Sequence, residues 1–220
     1  MPALPTIAVL VSGRGSNLQA LLDAIARDEL PVRIAGVFSD KADAPALQRA
    51  RDAGVHAEAI DAREFPNRLA FDQAFFARVD ATRPNLIVCA GYMRLISEPA
   101  VEAHRGTLVN IHPSLLPAFK GLRTHAQALA AGAAEHGASV HFVTPDLDGG
   151  PVIAQARVPV RPGDDVETLS RRVLEREHPL LVATVGLLAS GRARLDGDRI
   201  LLDGTPLAAP LQLGANEGFA

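Results

Sequence analysis

The sequence predicts an α/β protein with a doubly wound, mostly parallel sheet, an antiparallel edge and a C-terminal hairpin. Three observations carry that prediction. Strand-like runs alternate with helix-like runs through most of the chain, the order expected of βαβ units. The strands are apolar throughout rather than alternating, as they must be where helices cover both faces of a sheet. A polar, glycine-rich turn, Ser12-Gly13-Arg14-Gly15-Ser16-Asn17, directly follows the first apolar run, and open α/β sheets gather ligands beyond the carboxyl ends of their strands.

Taken in order, Thr6 to Val11 reads as the first strand. Leu18, Leu21, Leu22 and Ile25 then fall at the i, i+3, i+4, i+7 spacing of one helical face, and Pro31 blocks continuation of that helix. Val32 to Phe38 reads as a buried strand, and Ala44 to Ala53 as a helix closed by Gly54, a residue suited to a left-handed cap. Phe65 to Asp80 reads as helix, Asn85 to Cys89 as a short strand, Glu98 to His104 as a short helix and Thr107 to Ile111 as another strand. Ala138 to Pro145 and Val152 to Val160 read as two further strands, pairing antiparallel at one edge. A long helix from about Asp165 to Ala189 contains Pro179, which predicts a kink. Asp196-Gly197, set between short apolar runs, predicts the two-residue turn of the closing hairpin.

The 220 residues suffice for one sizeable core, so one domain over 1–220 is expected. The chain is 48% hydrophobic and 21% charged, and its Lys+Arg 22 against Asp+Glu 25 leave a net charge of -3. No basic surplus exists to neutralise a nucleic-acid backbone, although small phosphates remain possible ligands. The single Cys89 can form neither an internal disulfide nor a thiolate metal site, which fits a cytoplasmic location. Met1 to Pro5 carries no positive charge ahead of an apolar run, and no apolar stretch reaches about 18 residues, so neither a secretory leader nor a membrane span is expected. His56, His104, His125, His136, His141 and His178 include no helical i, i+4 metal pair, and no metal is expected.

Three loops could carry chemistry. Ser12 to Asn17 offers glycines for close backbone approach and N–H groups at a helix N-terminus, which favour a phosphate. Leu18 stands where the third glycine of a dinucleotide fingerprint belongs, so a monophosphate fits better; a tight turn with Ser16 or Asn17 as helix cap is the plainer reading. Asn110 and His112 lie two apart at the end of a strand, before a loop bounded by Pro113 and Pro117. Residues i and i+2 share a face there. An amide N–H and an imidazole converging on one group suit the oxyanion of an acyl transfer, against the alternative of a hydrogen-bonded structural histidine. The loop Asp146-Leu147-Asp148-Gly149-Gly150-Pro151 supplies two carboxylates, either of which could hold His112 charged, or it is an ordinary acidic turn. Ser114 lacks the G-x-S-x-G elbow of a serine hydrolase.

Five segments, SGRGSNLQALLD at Ser12, AGYMRLIS at Ala90, NIHPSLLPAFKG at Asn110, HGASVHFVTPDLDGGPVI at His136 and Arg176-Glu177-His178-Pro179, together resemble the folate-dependent phosphoribosylglycinamide formyltransferase family in order and spacing across almost the whole chain. The resemblance implies a Rossmann-like formyltransferase fold and a formyl transfer, in purine synthesis, from 10-formyltetrahydrofolate as co-substrate to the amine of glycinamide ribonucleotide, without a metal. It implies a catalytic trio of Asn110, His112 and Asp148, with Asp148 raising the affinity of His112 for its proton. Gly15, Ser16 and Asn17 match the loop that holds the ribonucleotide phosphate, and Glu177 helps hold the same substrate. Arg68, Met93, Arg94, Leu95, Ile96 and Asn110 match the folate side. The loop Ala118-Phe119-Lys120-Gly121-Leu122-Arg123-Thr124-His125 departs from the family pattern, in which many members carry Tyr-Pro before the glycine and His in place of Arg123.

Related families share the formyl-folate core. Formyltetrahydrofolate hydrolases add an N-terminal regulatory domain, and methionyl-tRNA formyltransferases add a C-terminal domain and a basic tRNA surface; neither extension is expected here. A nicotinamide-dependent oxidoreductase using Asp40 is opposed by Leu18, and a non-catalytic sugar-phosphate module leaves Asn110, His112 and Asp148 without purpose. The expected partners are small molecules, with no nucleic acid and no membrane, for a monomer or homodimer.

Overall fold

The structure, a computed structural model, describes residues 3–219. Met1 and Pro2, part of the segment read above for a leader, and Ala220 lie outside the described residues.

The predicted alternation holds. Strand β1 (Thr6–Val11) leads into helix α1 (Ser16–Ala26), followed by β2 (Arg33–Ser39), α2 (Pro45–Asp52) and a short β3 (Ala57–Ala59). Helix α3 (Arg68–Ala81), β4 (Leu86–Cys89), α4 (Glu98–Ala103), β5 (Leu108–His112) and α5 (Thr124–Ala130) come next. The chain continues through β6 (Glu135–Phe142), β7 (Val152–Pro159) and α6 (Val166–Ala189), then β8 (Ala193–Asp196), β9 (Arg199–Leu202), β10 (Thr205–Pro206) and β11 (Leu211–Gln212).

One sheet has the order β11-β7-β6-β5-β4-β1-β2-β3, and β10-β9-β8 form a separate small antiparallel sheet. Strands β3, β2, β1, β4 and β5 run parallel, whereas β6 is antiparallel to both β5 and β7. The strand order reverses between β1 and β4, so the crevice beyond their carboxyl ends is the topological switch point where ligands bind in such sheets.

Alternate residues of β1 explain why its sequence is apolar throughout. Ile7, Val9 and Val11 pack on one face with Leu18 and Leu21 of α1, while Ala8 and Leu10 pack on the other with Phe71 and Phe75 of α3. Each of these fully buried leucines contributes on the order of 1.5–3 kcal/mol by leaving water.

Several boundaries differ from expectation for local reasons. Helix α3 begins at Arg68 rather than Phe65, because Pro66 precedes Asn67, whose side chain caps the helix by accepting the Ala70 N–H. Strand β6 starts three residues earlier than predicted, since Glu135 and His136 are polar yet pair with Pro159 and Val158 of β7. Helix α6, by contrast, runs as one helix through Pro179 over nearly its predicted span. The closing turn is Gly197-Asp198, because Asp196 pairs with Arg199; a second turn at Asp203-Gly204 joins Leu202 to Thr205 with positive φ at both residues, as type I′ requires. Strands β3 and β11 and helix α5 are too short for the hydropathy pattern to reveal. Among the described residues, no helix is long and apolar enough to cross a membrane.

Candidate active site

The carboxyl ends of β1, β4 and β5 carry the three segments that build the site. At the end of β1, Gly15 adopts φ 76 and caps α1 with no side-chain hydrogen bond and no acidic residue in the first turn. A Cβ at Gly15 would lie 2.6 Å from Ala46 Cβ, so both the backbone conformation and the close approach of α2 require glycine. No side chain therefore caps the first N–H groups of α1. Asn17 donates from Nδ2 to Glu177 Oε1 at 2.6 Å, linking the loop to α6. Both side chains are buried, and burial pushes the Glu177 carboxyl above its usual range against the lowering effect of Asn17.

At the end of β4 the main chain turns at Gly91 with φ 81. Ser12 ties this turn to β1: its N–H donates to Gly91 O at 3.0 Å, and its Oγ accepts the Met93 N–H at 2.9 Å. Ser12 Oγ in turn donates to Asp40 Oδ1 at 2.6 Å, which gives the buried Asp40 a structural partner. Arg94, Leu95 and Ile96 make no main-chain hydrogen bond among the described residues, leaving their donors and acceptors unpaired within the chain. The Arg94 guanidinium lies 4.8 Å from the Phe71 ring centre.

At the end of β5, Asn110 and His112 share a face, and the β5–β6 register sets His141 opposite Asn110 and Ser139 opposite His112. The His141 Nδ1–H donates to Phe142 O at 2.9 Å, so the unprotonated Nε2 accepts from Asn110 Nδ2 at 3.2 Å. Burial lowers the His141 pKa to about 4 and keeps the ring neutral. The Asn110 amide is thereby oriented with its second N–H free.

The His112 Nε2–H donates to Phe119 O at 3.1 Å, while Nδ1 lies 3.6 Å from Asp148 Oδ2. His141 Nε2 lies 3.7 Å from Asp148 Oδ1. Asp148 sits at φ 46 and accepts the Gly121 N–H at 2.8 Å, whereas Asp146 is exposed and turns its carbonyl to Gly149 N–H. Beneath the His112 loop, Ser139 Oγ donates to Ser114 O and accepts from Leu116 N–H and Gln155 Nε2.

A cavity of ≈ 490 Å³ contains Met93, Arg94, Leu95, Ile96, Asn110, His112, His141 and Asp148 in its wall. Met93, Leu95, Leu122 and Leu147 are 64%, 58%, 74% and 53% exposed around it, an apolar rim of the kind a bound ring system covers. Gly15, Ser16, Asn17, Glu177 and Arg68 are not in its wall; Arg68 stands exposed at the first position of α3. Among the described residues, no group of three or more His, Cys, Asp or Glu side chains is arranged to hold a metal ion.

The family model described as formyl transferase matches residues 6–185. The chain belongs to the formyl transferase family. It is 46% identical over 201 residues to phosphoribosylglycinamide formyltransferase of Escherichia coli (strain K12), covering 91% of this chain and 95% of that protein. The solved phosphoribosylglycinamide formyltransferase of Coxiella burnetii superposes with a TM-score of 0.90 at 45% identity, covering 93% of this chain and 96% of that one. Glycinamide ribonucleotide transformylase 1 from Symbiobacterium toebii does so with a TM-score of 0.88 at 46% identity, covering 92% and 95%. The mostly parallel formyl transferase fold and the family read from the sequence are thus both found. The matched segment runs from β1 into α6 and takes in every candidate residue from Gly15 to Glu177. Sequence reasoning passed over His141, whose only signal was a polar ring inside the buried strand Glu135–Phe142.

Proposed function

We propose that the protein transfers the formyl group of 10-formyltetrahydrofolate to the amine of N1-(5-phosphoribosyl)glycinamide, as a step of purine biosynthesis. The observation that carries this reading is the convergence of Asn110, His112 and Asp148 on one cavity whose wall also contains the unpaired main chain of Arg94 to Ile96. The relatives named above carry this activity in their names.

In the proposed reaction the amine attacks the formyl carbon directly. A C–N bond forms, and the carbonyl oxygen becomes an oxyanion held by the free Asn110 N–H and by His112. Collapse of this intermediate breaks the bond to N10 of the folate. The attacking amine loses a proton and N10 gains one, carried by His112 or by water. Asp148 Oδ2 lies 3.6 Å from His112 Nδ1, beside the ring that carries these protons. Gly15, Ser16 and Asn17 hold the phosphate and Glu177 the same substrate, while Met93, Arg94, Leu95, Ile96 and Arg68 take the folate. The enzyme works on small molecules in the cytoplasm, as a monomer or homodimer.

The test is to mix purified protein with 10-formyltetrahydrofolate, with and without glycinamide ribonucleotide, and follow deformylation spectroscopically. Turnover that requires the ribonucleotide is expected. Folate deformylation without it would identify a hydrolase instead.

A further inference from the structure

Three acids are buried among the described residues, Asp40, Asp72 and Glu177, and only Asp72 has no exposed surface. A fully buried carboxylate is costly unless strongly hydrogen-bonded, so its partner identifies what it is there to hold. Asp72 Oδ2 accepts the Ser97 N–H at 2.6 Å, and Oδ1 has no protein partner. Ser97 is the N-cap of α4, yet its own hydroxyl makes no cap bond and no other hydrogen bond. The local sequence does not anchor this position; a carboxylate 25 residues away does.

The contact matters because of what lies before Ser97. The run Met93-Arg94-Leu95-Ile96 begins at the Met93 N–H, which Ser12 and through it Asp40 hold, and ends at the Ser97 N–H, which Asp72 holds. Between those points, Arg94, Leu95 and Ile96 have no main-chain hydrogen bond. Two buried acids, Asp40 in the loop after β2 and Asp72 on α3, thus fix both ends of a segment whose middle is free for a ligand. Asp72 also lies one helical turn after Arg68 on α3, and its neighbour Phe71 carries the Arg94 guanidinium.

We propose that Asp72 is a positioning residue for folate recognition, holding the run 93–96 in its binding shape through the Ser97 N–H. This rests on the assignment of that run to the folate. Kinetics on four variants of the whole protein test it, with thermal melting to verify folding. Asp72→Ala removes the acceptor. Ser97→Pro removes the donor together with the hydroxyl, whose loss Ser97→Ala controls; its ring matches the observed Ser97 φ of -68 and holds Ile96 to extended backbone. Both should raise the KM for 10-formyltetrahydrofolate by about tenfold or more while leaving the KM for the ribonucleotide within about twofold. Asp72→Asn keeps a weaker acceptor and should raise the folate KM by about threefold. Ser97→Ala keeps the N–H and should match wild type.

If Asp72→Ala does not fold, Ser97→Pro and Asp72→Asn decide. An unchanged folate KM in a folded acceptor or donor variant, or equal rises in both KM values, overturns the proposal. Calorimetric titration of wild type with tetrahydrofolate separates the two levels: no binding defeats the folate assignment itself, whereas normal binding with unaffected variants defeats only the role of Asp72.

Discussion

His112 and Asp148 face each other across 3.6 Å, Nδ1 to Oδ2, with side chains only 8% and 9% exposed. A carboxylate this close and this shielded acts on the imidazole through a low local dielectric. His112→Ala and Asp148→Asn should each lower turnover by about a hundredfold or more. Asp148→Asn is the sharper test, because its amide oxygen can still accept the Gly121 N–H and only the charge is lost. Near-normal turnover in either variant, measured at saturating substrate, would remove that residue from the mechanism.

His141 makes the folded state sensitive to acid. Its pKa is lowered from 6.5 to about 4 by burial, so between those values the unfolded chain binds a proton that the folded chain refuses. Stability therefore falls as pH drops from about 6.5 toward about 4. Urea unfolding at pH 7.5 and at pH 5 should show wild type losing stability, with a smaller loss in His141→Gln. Equal losses would mean that His141 does not carry this dependence.

The loop that presents Asp148 depends on a close approach. A Cβ at Gly150 would lie 1.9 Å from Phe142 O, so Gly150→Ala must push the loop off β6. We expect a destabilisation of about 1–3 kcal/mol together with lost turnover. Gly13→Ala, where nothing lies within 4 Å of the added carbon, is the control. Chemical denaturation of the two variants decides, and equal stabilities would refute the packing account.

At the other end of the site, Gly15→Ala places a side chain at φ 76 and 2.6 Å from Ala46 Cβ. The helix N-terminus shifts, and the expected result is a KM for the ribonucleotide raised by about tenfold with the folate KM unchanged. A rise confined to the folate would reassign the loop.

Much of this was open to reading in the chain. The spacing of Leu18, Leu21, Leu22 and Ile25 sets α1 because a helix face repeats at that interval, and Asn110 and His112 share a face because strand residues alternate. The turn at Gly197-Asp198 shows the limit of such rules: the favoured pair Asp196-Gly197 was present, yet the cross-strand pairing of Asp196 with Arg199 moved the turn by one residue.

The sequence by itself determined the order of the longer strands and helices, the glycine-rich loop after β1 and the polar pair at the end of β5, because each depends on neighbours a few residues apart. Only the tertiary structure set Asp148 rather than Asp146 beside His112, put neutral His141 behind Asn110 and buried Asp72 under Ser97. Those choices depend on strand register and on helix packing between residues 25 to 36 positions apart, and a local pattern carries no record of a contact made across the fold.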